Sequence, residues 1–135
     1  MKTLITILFL SLLSSPSWSE VFGDLVQRDG VYYKKFSEVP FSGKLNGLNK
    51  GSMKNGKEDG EWTHYLHTGQ LLAKGNYENG KREGAWVAYY PNGQLNYKGN
   101  FKNHKEEGVW VVYDWDGILK EETTGTFKNG VKISD

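Results

Sequence analysis

The sequence predicts an all-β chain of tandem β-hairpins, and three observations carry that expectation. Trp62, Trp86 and Trp110 stand 24 residues apart, and the letters around them repeat in register. Within each interval, runs of aromatic and β-branched residues alternate with short clusters of turn formers. The intervals join at Asn-Gly pairs, Asn55-Gly56, Asn79-Gly80 and Asn129-Gly130, whose residues accept the positive φ angles of a two-residue hairpin turn.

Taken in order, the chain opens on a different kind of text. Lys2 precedes an apolar run at residues 4–13, LITILFLSLL, and SSPSWS follows with small residues at Ser17 and Ser19. This reads as an export signal at residues 1–19, with cleavage after Ser19, and places the protein in a periplasm or outside the cell. The run is about half of what a bilayer span requires. Residues 20–50 do not follow the period; they read as short strands and turns that cap the open face of the first hairpin, with an aromatic strand at residues 31–36 interrupted by Pro40 and resumed at Phe41.

The repeat array occupies residues 51–135. A partial unit, GSMKNGKED, precedes GEWTHYLHTGQLLAKGNYENGKRE (residues 60–83), GAWVAYYPNGQLNYKGNFKNHKEE (residues 84–107) and GVWVVYDWDGILKEETTGTFKNG (residues 108–130). GxWxxY is a strand. Gly69, Gly93 and Gly117 follow it in turns, and Gly56, Gly80 and Gly130 close the hairpins at the other end, where His104 stands in the third case. In the second strand of each unit, alternation puts Leu71, Ala73, Gly75 and Tyr77 on one face, and likewise Leu95, Tyr97, Gly99 and Phe101. The third unit carries two extra residues in KEETTG, an insertion that preserves parity and leaves Leu119, Gly125 and Phe127 on that face. The expected core is therefore Trp62, Trp86, Trp110, Leu71, Leu95, Leu119, Tyr77, Phe101 and Phe127. Gly75, Gly99 and Gly125 leave room for a neighbouring indole. Lys74 and Lys98 fall on the face that meets water. Ser134 sits where the period places a further tryptophan, and a polar residue there suits an end that faces solvent.

Composition narrows the function. The chain has 17 basic and 16 acidic residues, interspersed, and no basic block that would track a phosphate backbone, so nucleic acid is not an expected partner. It has no cysteine, hence no disulfide, thiolate nucleophile or thiolate metal site. His64 and His67 are three apart and point to opposite faces of a strand, His104 lies in a turn, and no HExxH is present, so no metal is expected. Asp114, Asp116, Glu121 and Glu122 form the densest acidic group, and a hairpin repeat offers them no cleft. No GxSxG, GxGxxG or P-loop pattern occurs, and neither catalysis nor a cofactor is expected.

Aromatic residues are the feature with binding potential, at 14% of the chain. Tyr65, Tyr89 and Tyr113 share a phase and lie off the tryptophan parity, and Trp115 has no counterpart in the other units. Amphipathic rings one repeat apart on a rigid sheet suit a protein partner, with a glycan as the alternative. A membrane-surface role has no basic amphipathic helix behind it.

The glycines and aromatics of GxWxxYxxxGQLxxKGxYxNGKxxG at residues 60–84, repeated with changes at residues 84–108, resemble the MORN-repeat family in its bacterial variant form. The stretch RDGVYYKKFSEVPFSGKLNG resembles the lead-in of exported bacterial members, many of them labelled toxin–antitoxin system antitoxin. The resemblance extends over roughly residues 25–133. It implies an elongated, twisted antiparallel sheet of successive hairpins and an interaction or scaffold role, with inhibition of a protein toxin as an alternative. It brings no catalytic residues.

Overall fold

The computed structural model describes residues 20–135, and the export signal read at residues 1–19 lies outside the described residues. The strands are β1 (Leu25–Arg28), β2 (Val31–Lys34), β3 (Gly43–Leu45), β4 (Asn49–Lys54), β5 (Lys57–Tyr65), β6 (Leu71–Glu78), β7 (Lys81–Tyr89), β8 (Leu95–Lys102), β9 (Lys105–Val112), β10 (Gly125–Lys128) and β11 (Val131–Ser134). From β3 to β11 they form one nine-stranded antiparallel sheet in chain order, and β1 and β2 form a separate hairpin. The chain is thus the expected run of hairpins, each strand from β3 to β11 pairing with its sequence neighbours within the sheet.

Two kinds of turn alternate along the sheet. At one end Asn55-Gly56, Asn79-Gly80 and Asn129-Gly130 all take positive φ, from 51° to 82°, the geometry that matches the twist of flanking strands. Asn103-His104 does the same at 52° and 70°. The left-handed conformation is costly for a residue with a β-carbon, and here the imidazole is tied down: Nδ1 accepts the Arg82 N–H at 3.2 Å, and the His104 N–H donates to the Arg82 carbonyl at 2.9 Å. The equivalent N–H groups of Gly80 and Gly130 donate to the carbonyls of Glu58 and Glu106, so each turn is hooked onto the hairpin before it.

The tryptophans explain how so thin a sheet keeps a core. Trp62, Trp86 and Trp110 are 0%, 4% and 5% exposed, although the separate β1–β2 hairpin packs into the cluster of Trp62 alone and not into that of Trp86 and Trp110. Each ring lies flat against a glycine of the preceding strand. A β-carbon built at Gly51, Gly75 or Gly99 would fall closer than 3.0 Å to the indole carbons of Trp62, Trp86 or Trp110. Each indole Nε1–H donates to the carbonyl of the residue after that glycine: Ser52 at 3.1 Å, Asn76 at 3.0 Å and Asn100 at 2.9 Å. The register of the sheet shifts at these same places, between Lys50 and Ser52, Gly75 and Asn76, and Lys98 and Asn100. Tyr77 and Phe101 then close the ladder edge-on, with ring centroids 5.1 Å from Trp86 and 4.8 Å from Trp110.

At the start of the array, Leu25, Phe41, Leu45 and Met53 bury Trp62, with Phe22 and Tyr32 packed against them. The β1–β2 hairpin and its following loop therefore lie over the first tryptophan. Gly56 is enclosed there, since a β-carbon would strike Val31 and the Tyr32 backbone. The sheet itself begins before residue 51, because β3 and the first residues of β4 already belong to it.

Several core assignments need correction. Leu71, Leu95 and Leu119 join neither buried cluster. Bulges between His64 and Tyr65 and between Ala88 and Tyr89 break the alternation, so Leu71 pairs with Tyr65 and Leu95 with Tyr89; directly opposed residues share a face, and these leucines lie with the tyrosines. Leu119 meets Tyr113 in an isolated bridge and is exposed. The KEETTG insertion forms a turn instead of lengthening the strand, with Thr123 and Thr124 N–H both donating to the Lys120 carbonyl. The Thr124 hydroxyl takes over the Val112 N–H at 3.0 Å. Gly125 receives no indole: the aliphatic stem of Lys132 and the Ser134 carbonyl occupy the space beside it. The insertion also shifts the count, so that Ser134 stands where Gly108 stands in the previous unit and not at a tryptophan position.

Candidate functional site

One face of the sheet is consumed by the ladder, and the candidate site lies on the other. Cross-strand pairing places Lys50, Thr63, Lys74, Val87, Lys98 and Val111 in one unbroken row across β4 to β9. Tyr65, Tyr89 and Tyr113 follow Thr63, Val87 and Val111 by two residues, so the three half-buried tyrosines share this face, each opposed by a leucine. Lys50 Nζ sits 5.2 Å from the Tyr65 ring centroid.

Between the strands runs a groove of about 620 Å³. Its floor is Ala85, Val87, Val109 and Val111, and its charged lining is Lys74, Lys98 and Glu61. Val109 is 65% exposed, a branched apolar side chain that the fold leaves uncovered. A second hollow of about 220 Å³ adjoins it, sharing Glu61 and adding Lys44 and Lys50. Sequence reading assigned Lys74 and Lys98 to solvent and left this groove unnoticed. The signal was present as lysine at positions 50, 74 and 98 with branched residues at 63, 87 and 111, but only strand pairing brings them into one row.

Trp115 lies elsewhere. It is 50% exposed on the turn edge, where its ring meets Tyr90 at 5.4 Å with 61° between the planes. Asn92 Nδ2 donates to the Trp115 carbonyl and the Tyr90 hydroxyl to that of Tyr113, both at 3.0 Å, which fixes this turn to the previous one. The tyrosine row and Trp115 are therefore two neighbouring surfaces.

The titratable groups have structural employment. Asp114 Oδ1 accepts the N–H groups of Asp116 and Ile118 at 2.9 and 2.8 Å, closing its own turn. His67 is exposed in a turn. His64 is stacked between Trp62 and Trp86, 6.1 and 6.4 Å from their centroids, and its Nδ1 lies 2.7 Å from Asn49 Oδ1. Burial pushes its pKa below the ordinary 6.5. The unfolded chain therefore binds a proton near that pH while the folded chain resists it, so stability is complete above about pH 6.5 and declines as pH falls toward the depressed folded value. A melting temperature that drops between about pH 7 and about pH 5, with a smaller drop in His64→Gln, is the expected result. Partial burial and the Arg82 guanidinium shift His104 in the same direction.

Among the described residues no group of three or more His, Asp or Glu is placed to hold a metal ion. The fold and its surfaces define a tandem β-hairpin repeat protein whose polar side chains serve turns and whose free face is apolar and basic. Two of the units, residues 58–79 and 82–103, match the family described as MORN repeat variant. Comparison with curated proteins gives no match.

Proposed function

We propose that this chain is a non-catalytic protein-interaction module that acts in the cell envelope or outside the cell. The observation that carries the reading is the uncovered apolar floor opposite the tryptophan ladder, continuous with a row of tyrosines one repeat apart. Rigid half-buried rings beside a shallow apolar groove suit a protein surface, where Tyr and Trp anchors carry much of the binding energy. The 61° between Tyr90 and Trp115 argues against the flat aromatic platform that a sugar ring would need. An inhibitor of a protein toxin is a special case of the same reading. The envelope assignment is supported by the Lys2, apolar-run and small-residue order of residues 1–19.

Affinity capture from the envelope of the producing cell tests it, with a Tyr89/Tyr113/Trp115 triple alanine variant of unchanged melting temperature as the control. A protein retained by the native chain and lost by the variant is expected, and capture of nothing by either would end the proposal. Mass spectrometry of the exported chain should find Glu20 as its first residue, and an intact Met1 would contradict export.

A further inference from the structure

We propose that the groove receives an acidic amphipathic α-helix of the partner protein, laid across the strands. This rests on the protein-interaction reading above and names the chemistry of the partner. Charge is the first argument. The two contiguous hollows are lined by four lysines, Lys44, Lys50, Lys74 and Lys98, against the single carboxylate of Glu61, in a chain whose overall charges nearly cancel. Glu61 and Lys74 form an exposed pair at 3.3 Å, weak enough to exchange for an incoming carboxylate.

Spacing is the second argument. Lys50, Lys74 and Lys98 stand on alternate strands of one row, which places them about 9.6 Å apart at the usual separation of neighbouring strands. Seven residues of an α-helix, just under two turns, advance about 10.5 Å, and one turn about 5.4 Å. A helix with a carboxylate in each heptad and an apolar residue one turn further on therefore presents acid and hydrocarbon alternately, in step with lysine and Thr63, Val87 or Val111. An extended peptide repeats on one side about every 6.8 Å and falls out of step within two strands. The one aromatic residue in the groove lining, Trp86, is 4% exposed and offers no open ring face on which a base could stack, which disfavours a single-stranded nucleic acid.

The purified full chain is titrated with a synthetic three-heptad helix that carries one glutamate per heptad and leucine one turn later, and with the same helix bearing lysine in place of glutamate. The acidic helix should bind at least about tenfold more tightly, and that preference should shrink as salt rises from about 0.1 M to about 1 M. Lys74→Glu/Lys98→Glu should abolish it with the melting temperature unchanged, and Lys74→Arg/Lys98→Arg should retain it. Equal binding of both helices, or no effect of charge reversal, would overturn the proposal. So would lysine-dependent binding of an oligonucleotide or of anionic vesicles in place of the helix. If the helix fails while the envelope capture still retains a protein that the triple variant loses, only the partner's chemistry falls. If both fail, the interaction reading falls with it.

Discussion

Trp86→Ala should destabilise the fold by about 3 to 5 kcal/mol, the range for truncating a large aromatic in a core. The ring is 4% exposed, rests on Gly75, is met edge-on by Tyr77 and Phe101, and donates its N–H to the Asn76 carbonyl. Truncation leaves an apolar gap at the centre of the array and an orphaned carbonyl beside a bulge. Since small domains have only about 5 to 15 kcal/mol in total, this one change could consume most of the stability. Chemical denaturation measures it, and a loss below about 1 kcal/mol would contradict the packing described.

The second large effect is expected from the smallest possible addition. Gly75→Ala places a methyl group inside the space of the Trp86 indole. Gly75 does not have a positive φ, so alanine meets no backbone strain, and the whole penalty is steric. Overpacking costs about 1 to 3 kcal/mol, and the upper end applies because the ring is held by its hydrogen bond and has no free side to move into. Denaturation of Gly75→Ala beside Gly23→Ala, where a β-carbon meets open space, separates this clash from a general effect of removing glycine. Similar losses in both would refute it.

Much of the fold was legible because the period is a local property. The Trp spacing, the Asn-Gly turns and the placement of Gly75 and Gly99 under indoles follow from letters within one unit and its neighbour. What failed were the inferences that required parity to survive along a strand. Bulges at each unit move Leu71 and Leu95 to the tyrosine face, and KEETTG folds back on Lys120 instead of extending a strand. Nothing in the composition announces these bulges, which are distinct from the register shifts at the other end of the strands, where each indole donates to the carbonyl of the residue after its glycine. The candidate site was half legible. Tyr65, Tyr89 and Tyr113 could be placed off the tryptophan face by counting, whereas the lysine row joins residues brought together only by pairing across six strands.

The division of the sheet into a locked face and a free face depends on each indole being seated on the glycine of the strand before it. The double-mutant cycle of Gly75→Ala and Trp86→Ala tests this most directly, because the alanine methyl should do no harm once the ring is gone. A double variant no less stable than Trp86→Ala alone, with a coupling energy of at least about 1 kcal/mol, is the predicted result. Additive losses within about 0.5 kcal/mol would mean that the two residues do not share this space, and the ladder would have to be abandoned.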